Sequence, residues 1–152
     1  LRVRFDGCKQ LIFQDIYQEP MILMVDTTHR LSKRKKVSIK ELSKERFVNI
    51  NDVFYKGYLE YIRAMLKKHN IEIDSHPHLV GDYEALLLAV QAGKGGALLS
   101  SNMKKQVDPC SVYIDLEEND IVIRRCLAYK ADNNNPAIPH FLKQFNYQEY
   151  LP

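Results

Sequence analysis

Apolar and polar positions change period several times along the chain, and each change marks an element. Leu11–Ile16 and Met21–Val25 are β-type runs separated by Tyr17-Gln18-Glu19-Pro20. Pro20 has no amide hydrogen to give a neighbouring strand, so it belongs at a strand start, an edge or a bulge. Ser38 followed by Glu41 is a capping-box pair, with Val37 and Leu42 as the staple on either side, and predicts a short helix beginning at Ser38. Phe47–Ile50 reads as a brief strand, after which the side-chain oxygens of Asn51 and Asp52 suit the free amides of a helix beginning near Val53. Phe54, Tyr58, Ile62 and Met65 recur on one face of that helix, with Tyr55, Leu59 and Leu66 beside them. Lys67, Lys68 and His69 then oppose the negative end of the helix dipole, and Asn70 suits a left-handed cap.

An extended segment around Pro77–Gly81 leads to Asp82, the cap of a helix whose Ala85, Leu86, Ala89 and Val90 form an apolar face ending at Gly93. Gly95-Gly96 opens a short strand, Ala97–Leu99. Val112–Leu116 and Ile121–Tyr129 are two further strands, and Glu118-Asn119-Asp120 between them has hairpin-turn chemistry. Asn135-Pro136 starts a last helix with Ile138, Phe141, Leu142 and Phe145 on its inner face. Strands alternating with helices, closed by two returning strands, predict an α/β sandwich with a mixed sheet. Ala131–Asn135 is the one linker-like stretch.

With 152 residues, 45% hydrophobic and 27% charged, the chain has the size and balance of one soluble globular domain. No apolar run is long enough to cross a bilayer, and no charged leader opens the sequence. Cys8, Cys110 and Cys126 lack metal-type or redox-type spacing, which fits reduced thiols in the cytoplasm. A formal charge of +3 is well short of a dedicated nucleic-acid-binding domain. The locally basic run Arg30–Lys36 reads as a solvated loop. The chain opens at Leu1 rather than Met, which fits a piece of something longer.

Few residues point to chemistry. Gly93-Lys94-Gly95-Gly96 lacks the full phosphate-loop pattern, and its glycines end a helix and start a strand. His76-Pro77-His78 has a chelating spacing if a strand puts both rings on one face, but no third ligand lies at a companion spacing. There is no nucleophile elbow, and Glu117 and Glu118 fall in a turn where exposure is the ordinary reason for a carboxylate. Cys110 and Cys126 read as small core residues or as a redox pair. The expectation is no enzyme, no metal and no cofactor. The helix starts at Asn51-Asp52 and Asp82-Tyr83 each follow a strand, where open α/β sheets collect ligands; the same residues also read as caps and nothing more.

Taken together, Met21-Ile-Leu-Met-Val25, His29-Arg-Leu-Ser32, Val37-Ser-Ile-Lys-Glu-Leu42 and Phe47-Val-Asn-Ile50 resemble the effector domain of LysR-type transcriptional regulators. The usual pattern there is an apolar strand, a His-Pro-Leu-Ala-like turn, a short capped helix ending in Leu, and a strand opening onto the ligand cleft. Asp82–Val90 followed by Ala92–Leu99 resembles the family's helix, Gly-x-Gly turn and apolar strand. The resemblance runs from about Leu11 to Phe145. Arg30 and Ser32 stand where Pro and Ala are common in the family.

The resemblance implies a type 2 periplasmic-binding-protein-like lobe, a mixed sheet flanked by helices, with the first lobe incomplete. Residues 1–20 would be hinge strands left from lobe one, residues 21–118 lobe two, and residues 119–152 the returning strand and C-terminal helix. It implies a small-molecule effector held between lobes, and the candidate lobe-two contacts are Asn51, Asp52, Val53, Phe54, Tyr83, Ser100 and Ser101. It further implies a homodimer formed through the helix Asp52 to Asn70, DNA binding only through a segment missing from this chain, and no membrane contact. The rival readings are a solute-binding protein, which would carry a secretion leader, and an enzyme of the same fold, such as a prephenate-dehydratase-like protein, whose Thr-Arg-Phe motif is absent.

Overall fold

The apolar alternation beginning at Leu11 builds one long strand rather than two. In the computed structural model, which describes residues 2–3, 10–51, 57–72, 78–105 and 108–145, β1 (Arg2–Val3) is followed by β2, unbroken over Leu11–Asp26. The interruption expected at Tyr17–Pro20 does not occur. Pro20 lies just before the ladders to two neighbouring strands begin at Met21 and Ile22, so neither ladder needs its missing amide hydrogen.

The chain forms two units, Leu1–Gln18 with Arg124–Pro152, and Glu19–Ile123. In Glu19–Ile123, β2 is flanked by β6 (Ala97–Ser100) and β7 (Ser111–Leu116), both antiparallel to it. Met21 registers with Ser100 on one partner, and Ile22 with Asp115 on the other. β3 (Lys36–Val37) runs parallel to β7. β4 (Val48–Ile50) and β5 (His78–Val80) form a parallel pair, and Phe47 bridges Gly96 in the parallel sense. The sheet is therefore mixed, as expected.

Side chains alternate between the two faces of the sheet. Ile22, Met24, Val48, Ala97 and Leu99 form one buried cluster with Leu86 and Val90 of α2 (Tyr83–Gln91). Leu23, Val25 and Leu98, at the alternate positions, are buried as well. Both faces are covered, which is why these strands read as continuous apolar runs.

Local chemistry sets the helix ends. Ser38 makes the expected capping box with Glu41, but the helix it opens, Ile39–Lys44, is a single short 3₁₀ segment. A helix running unbroken from Val53 is not formed. Gly57 sits at φ 82°, a left-handed conformation that stops a right-handed helix, and α1 spans Tyr58–Lys67. Residues 52–56 lie outside the described residues. Leu59, Ile62, Met65 and Leu66 are the buried stripe of α1. Its end is the predicted left-handed Asn70, at φ 58°, with the Ile71 amide donating back to the Leu66 carbonyl.

α2 begins as expected, with the Ala85 amide donating to Asp82 Oδ1 at 2.8 Å. It ends at Gly93, φ 69°, where the Lys94 amide reaches the Ala89 carbonyl. Gly93-Lys94-Gly95-Gly96 is thus a helix stop and a close strand approach. The Gly96 amide donates to the Arg46 carbonyl at 2.9 Å, and the Val48 amide to the Gly96 carbonyl at 2.8 Å.

The hairpin expected at Glu118-Asn119-Asp120 is absent. β7 and β8 (Val122–Lys130) each pair with β2 and not with one another. Glu118 is not a solvated turn residue either. Its Oε1 accepts from the Ser38 hydroxyl at 2.7 Å and its Oε2 from the Ile39 amide at 2.8 Å, so it caps the 3₁₀ helix from a distant part of the chain.

In the other unit, β1 lies antiparallel to β8, with Arg2 in register with Cys126. α3 (Ala137–Gln144) starts where Asn135 Oδ1 accepts from the Ala137 amide at 2.9 Å. Its four apolar residues do not make a buried inner face. Phe141 is 52% exposed and leans on Phe145, with ring centroids 5.1 Å apart, so its apolar contact lies along its own chain segment.

Candidate functional site

In unit Glu19–Ile123, the parallel strands β4 and β5 both contact α2. β5 leads through Gly81 and Asp82 directly into that helix. Asn51, just past β4, donates its amide to the Val80 carbonyl at 2.8 Å. The β4–β5 register that pairs Ile50 with Val80, carried one step further, sets Asn51 beside Gly81. Phe47 bridges Gly96 just before β4 and β6 begin. Asn51 and the Gly81-Asp82 approach to Tyr83 thus lie together at the ends of β4 and β5, while Ser100 ends β6, whose Ala97 and Leu99 share the apolar cluster against which Tyr83 packs. Ser100 is buried, and Ser101 opens a 3₁₀ turn, Ser101–Lys105. Asp52, Val53 and Phe54 lie outside the described residues.

The ring of Tyr83 packs on the apolar cluster beneath α2, together with Ile50, Val80, Met103 and Tyr113. Its hydroxyl is enclosed and makes no well-aligned hydrogen bond within the described residues. The neighbouring Tyr113 hydroxyl is pushed well above the ordinary tyrosine value, first by burial and then by its closeness to Tyr83. The Tyr113 phenol therefore stays protonated at neutral pH. Tyr113 carries no local sequence signal; it joins the site because Met24, its partner across β2 and β7, faces α2.

Charge at this edge is largely committed. Asp82 spends one oxygen on the helix cap. Asp108 accepts from the Gln91 side chain at 2.9 Å and the Cys110 amide at 3.0 Å. Its pKa is lowered, with the Ser111 side chain as the largest cause. Lys104 pairs with Asp115 at 2.5 Å. Glu19, which sequence reasoning passed over, is 2% exposed and accepts from the Asn102 amide at 3.1 Å. A single carboxylate beside a proline gives no sign of this, because its partner lies 83 residues away in sequence.

Other candidates disperse. A surface depression is lined by Arg30, Lys40, Glu41, Ser43, Lys44 and Glu45. Arg30 there pairs with Glu45, whose other oxygen lies 3.1 Å from His29 Nε2. Of His76-Pro77-His78 only the backbone of His78 is described, in β5. Among the described residues no three His, Cys, Asp or Glu side chains are grouped to hold a metal ion, and no helix is long and apolar enough to cross a membrane. Cys110 is exposed and Cys126 buried.

A family model described as the LysR substrate binding domain matches residues 8–148. The HTH-type transcriptional regulator AlsR of Bacillus subtilis (strain 168) is 22% identical over 134 residues, which cover 86% of this chain and 43% of AlsR. The chain thus spans less than half the length of that relative. Among solved structures, the BenM effector binding domain with its effector benzoate gives a TM-score of 0.74 at 13% identity, over 99% of this chain and 70% of that one. The effector binding domain of QuiR in complex with shikimate gives 0.75 at 14% identity, over 93% and 66%. At such identities the likeness shows the fold, the mixed α/β architecture of effector-binding domains that the resemblance implied.

Proposed function

The chain belongs to the LysR substrate-binding-domain family, and we propose that it senses a small carboxylate-bearing effector on behalf of a cytoplasmic transcriptional regulator. The observation that supports this reading is that Asn51 lies beside the end of β5, which leads into α2 at Tyr83, on an apolar cluster that Ala97 and Leu99 of β6 also join. Helix-start amides are donors, and donors at a partly dry edge suit an anionic oxygen. Benzoate and shikimate, bound by the BenM and QuiR domains, are of this class.

The effector would lie between two lobes, with residues 21–118 supplying lobe two, residues 1–20 the hinge strands and residues 119–152 the returning strand and helix. Lobe-two contacts would come from Asn51, Asp52, Val53, Phe54, Tyr83, Ser100 and Ser101. Binding rather than catalysis is the mechanism: the effector biases the lobe arrangement by its differential affinity, and so changes how a homodimer, paired through the helix that follows Asp52, presents DNA-binding segments outside this chain.

The test is a thermal-shift and NMR titration of the chain with a panel of small aromatic and alicyclic carboxylates. A ligand at one hundred times its dissociation constant should add about 2.7 kcal/mol of stability. Its shift changes should centre on Asn51, Tyr83, Ser100 and Ser101. Binding that Tyr83→Ala leaves unchanged, or shifts centred elsewhere, would overturn the site. A monomeric mass at micromolar concentration in sedimentation would overturn the homodimer.

A further inference from the structure

We propose that Glu19 is a positioning residue for the effector site: its buried carboxylate holds the Ser101–Lys105 turn through the Asn102 amide, and so fixes Ser100 and Ser101. The proposal rests on the reading of those serines as effector contacts. Glu19 is 2% exposed, the most enclosed carboxylate among the described residues. Burying a carboxylate is costly unless hydrogen bonds compensate it, so its placement demands a specific partner. One such partner is the Asn102 amide, 3.1 Å from Oε1 and 83 residues away in sequence. Asn102 is the second residue of the 3₁₀ turn that leaves β6 at Ser100. An amide in the first turn of such a helix has no acceptor within the helix, and Glu19 supplies one.

The location gives this bond its consequence. Glu19 stands in β2 two residues before Met21, which registers with Ser100. The serine ledge is therefore held twice by the same strand: by the β2–β6 ladder up to Ser100, and by the Glu19 carboxylate just beyond it. Where the ladder stops, the carboxylate continues the attachment. β2 is also the strand that continues past Gln18 into the other unit. Glu19 thus ties the proposed effector contacts to β2.

Hydrogen exchange of backbone amides in the full chain, followed by NMR, tests this without a ligand. In the wild-type chain the Asn102 amide should exchange at least ~10-fold more slowly than an unbonded amide of the same local sequence. In Glu19→Ala, amides from Ser101 to Lys105 should lose ~10-fold or more of their protection, while Val48 and Leu86 change by less than ~2-fold. Glu19→Gln, which keeps an acceptor oxygen, should recover most of it. A uniform loss across Glu19–Ile123 would mean that Glu19 only supports global stability, and would overturn the proposal. So would an unprotected Asn102 in the wild-type chain, a result that stands even if neither variant folds. Effector binding is read separately by titration, so a failed effector assignment cannot be mistaken for a failed Glu19.

Discussion

Replacing Gly95 by alanine should be among the most damaging single-methyl changes in this chain, and the reason is backbone geometry. Gly95 has φ +149°, a conformation L side chains rarely adopt, and a Cβ there would lie 2.6 Å from the Arg46 carbonyl oxygen and 2.8 Å from its carbon. The neighbour is main chain, so no rotamer change relieves the clash. The backbone conformation alone costs about 1–3 kcal/mol for a non-glycine residue. Pushing Arg46 away also endangers the two bonds that join β4 to β6, Gly96 amide to Arg46 carbonyl and Val48 amide to Gly96 carbonyl. Each of those is worth about 1 kcal/mol. The expected total of about 3–5 kcal/mol is a large share of a typical domain's stability of about 5–15 kcal/mol.

Two other glycines serve as internal controls. Gly93 is left-handed at φ +69° but has nothing within 4 Å of an added Cβ, so Gly93→Ala should cost only the conformational term, about 1–2 kcal/mol. Gly81 has neither a positive φ nor a close neighbour. Gly81→Ala should be neutral, or stabilising by about 0.4–1 kcal/mol because alanine restricts the unfolded chain. Urea unfolding followed by circular dichroism measures all three, with unchanged slopes required for the comparison. If Gly95→Ala falls within ~1 kcal/mol of Gly93→Ala, the strand-approach argument is wrong.

Asp82→Ala removes the acceptor for the Ala85 amide and should cost about 1 kcal/mol; Asp82→Asn, which keeps an acceptor, should cost less, and equal losses for both would argue against the cap. Glu118 should make stability acid-sensitive. Burial raises its pKa, but the hydrogen bonds from the Ser38 hydroxyl and the Ile39 amide outweigh it and leave the pKa lowered. A carboxylate depressed in this way contributes fully above its unfolded value, about 4.3, and loses that contribution as pH falls through the folded value. Glu118→Gln should therefore flatten the acid limb of stability against pH, and parallel curves for the two proteins would refute the assignment.

Much of the local structure was legible in the sequence because its causes are local. The capping box at Ser38, the Asp82 cap, the left-handed Asn70 and the stop at Gly93 each need only a few consecutive residues. The order of those signals also carried the family resemblance. Gly57 was legible in principle: a lone glycine in an otherwise helical pattern is a breaker, and at φ 82° it moved the start of α1 to Tyr58.

What only tertiary structure decided depends on partners distant in the chain. Pro20 passes through an unbroken β2 because of where the β6 and β7 ladders begin, and nothing within Tyr17–Pro20 encodes that. Glu118 looked like a turn residue until β7 and β8 proved to pair separately with β2, which brought its carboxylate to Ser38. Phe141 looked like core because periodicity reports which face is apolar, not whether anything covers it. For the site, sequence supplied the strand ends and helix starts at Asn51, Tyr83 and Ser100. Folding added Tyr113 and Glu19, whose roles exist only where segments separated by tens of residues meet. Propensity and capping act over one turn or one strand, so they are written in neighbouring residues; register and burial arise from pairing across the chain, so only the assembled sheet fixes them.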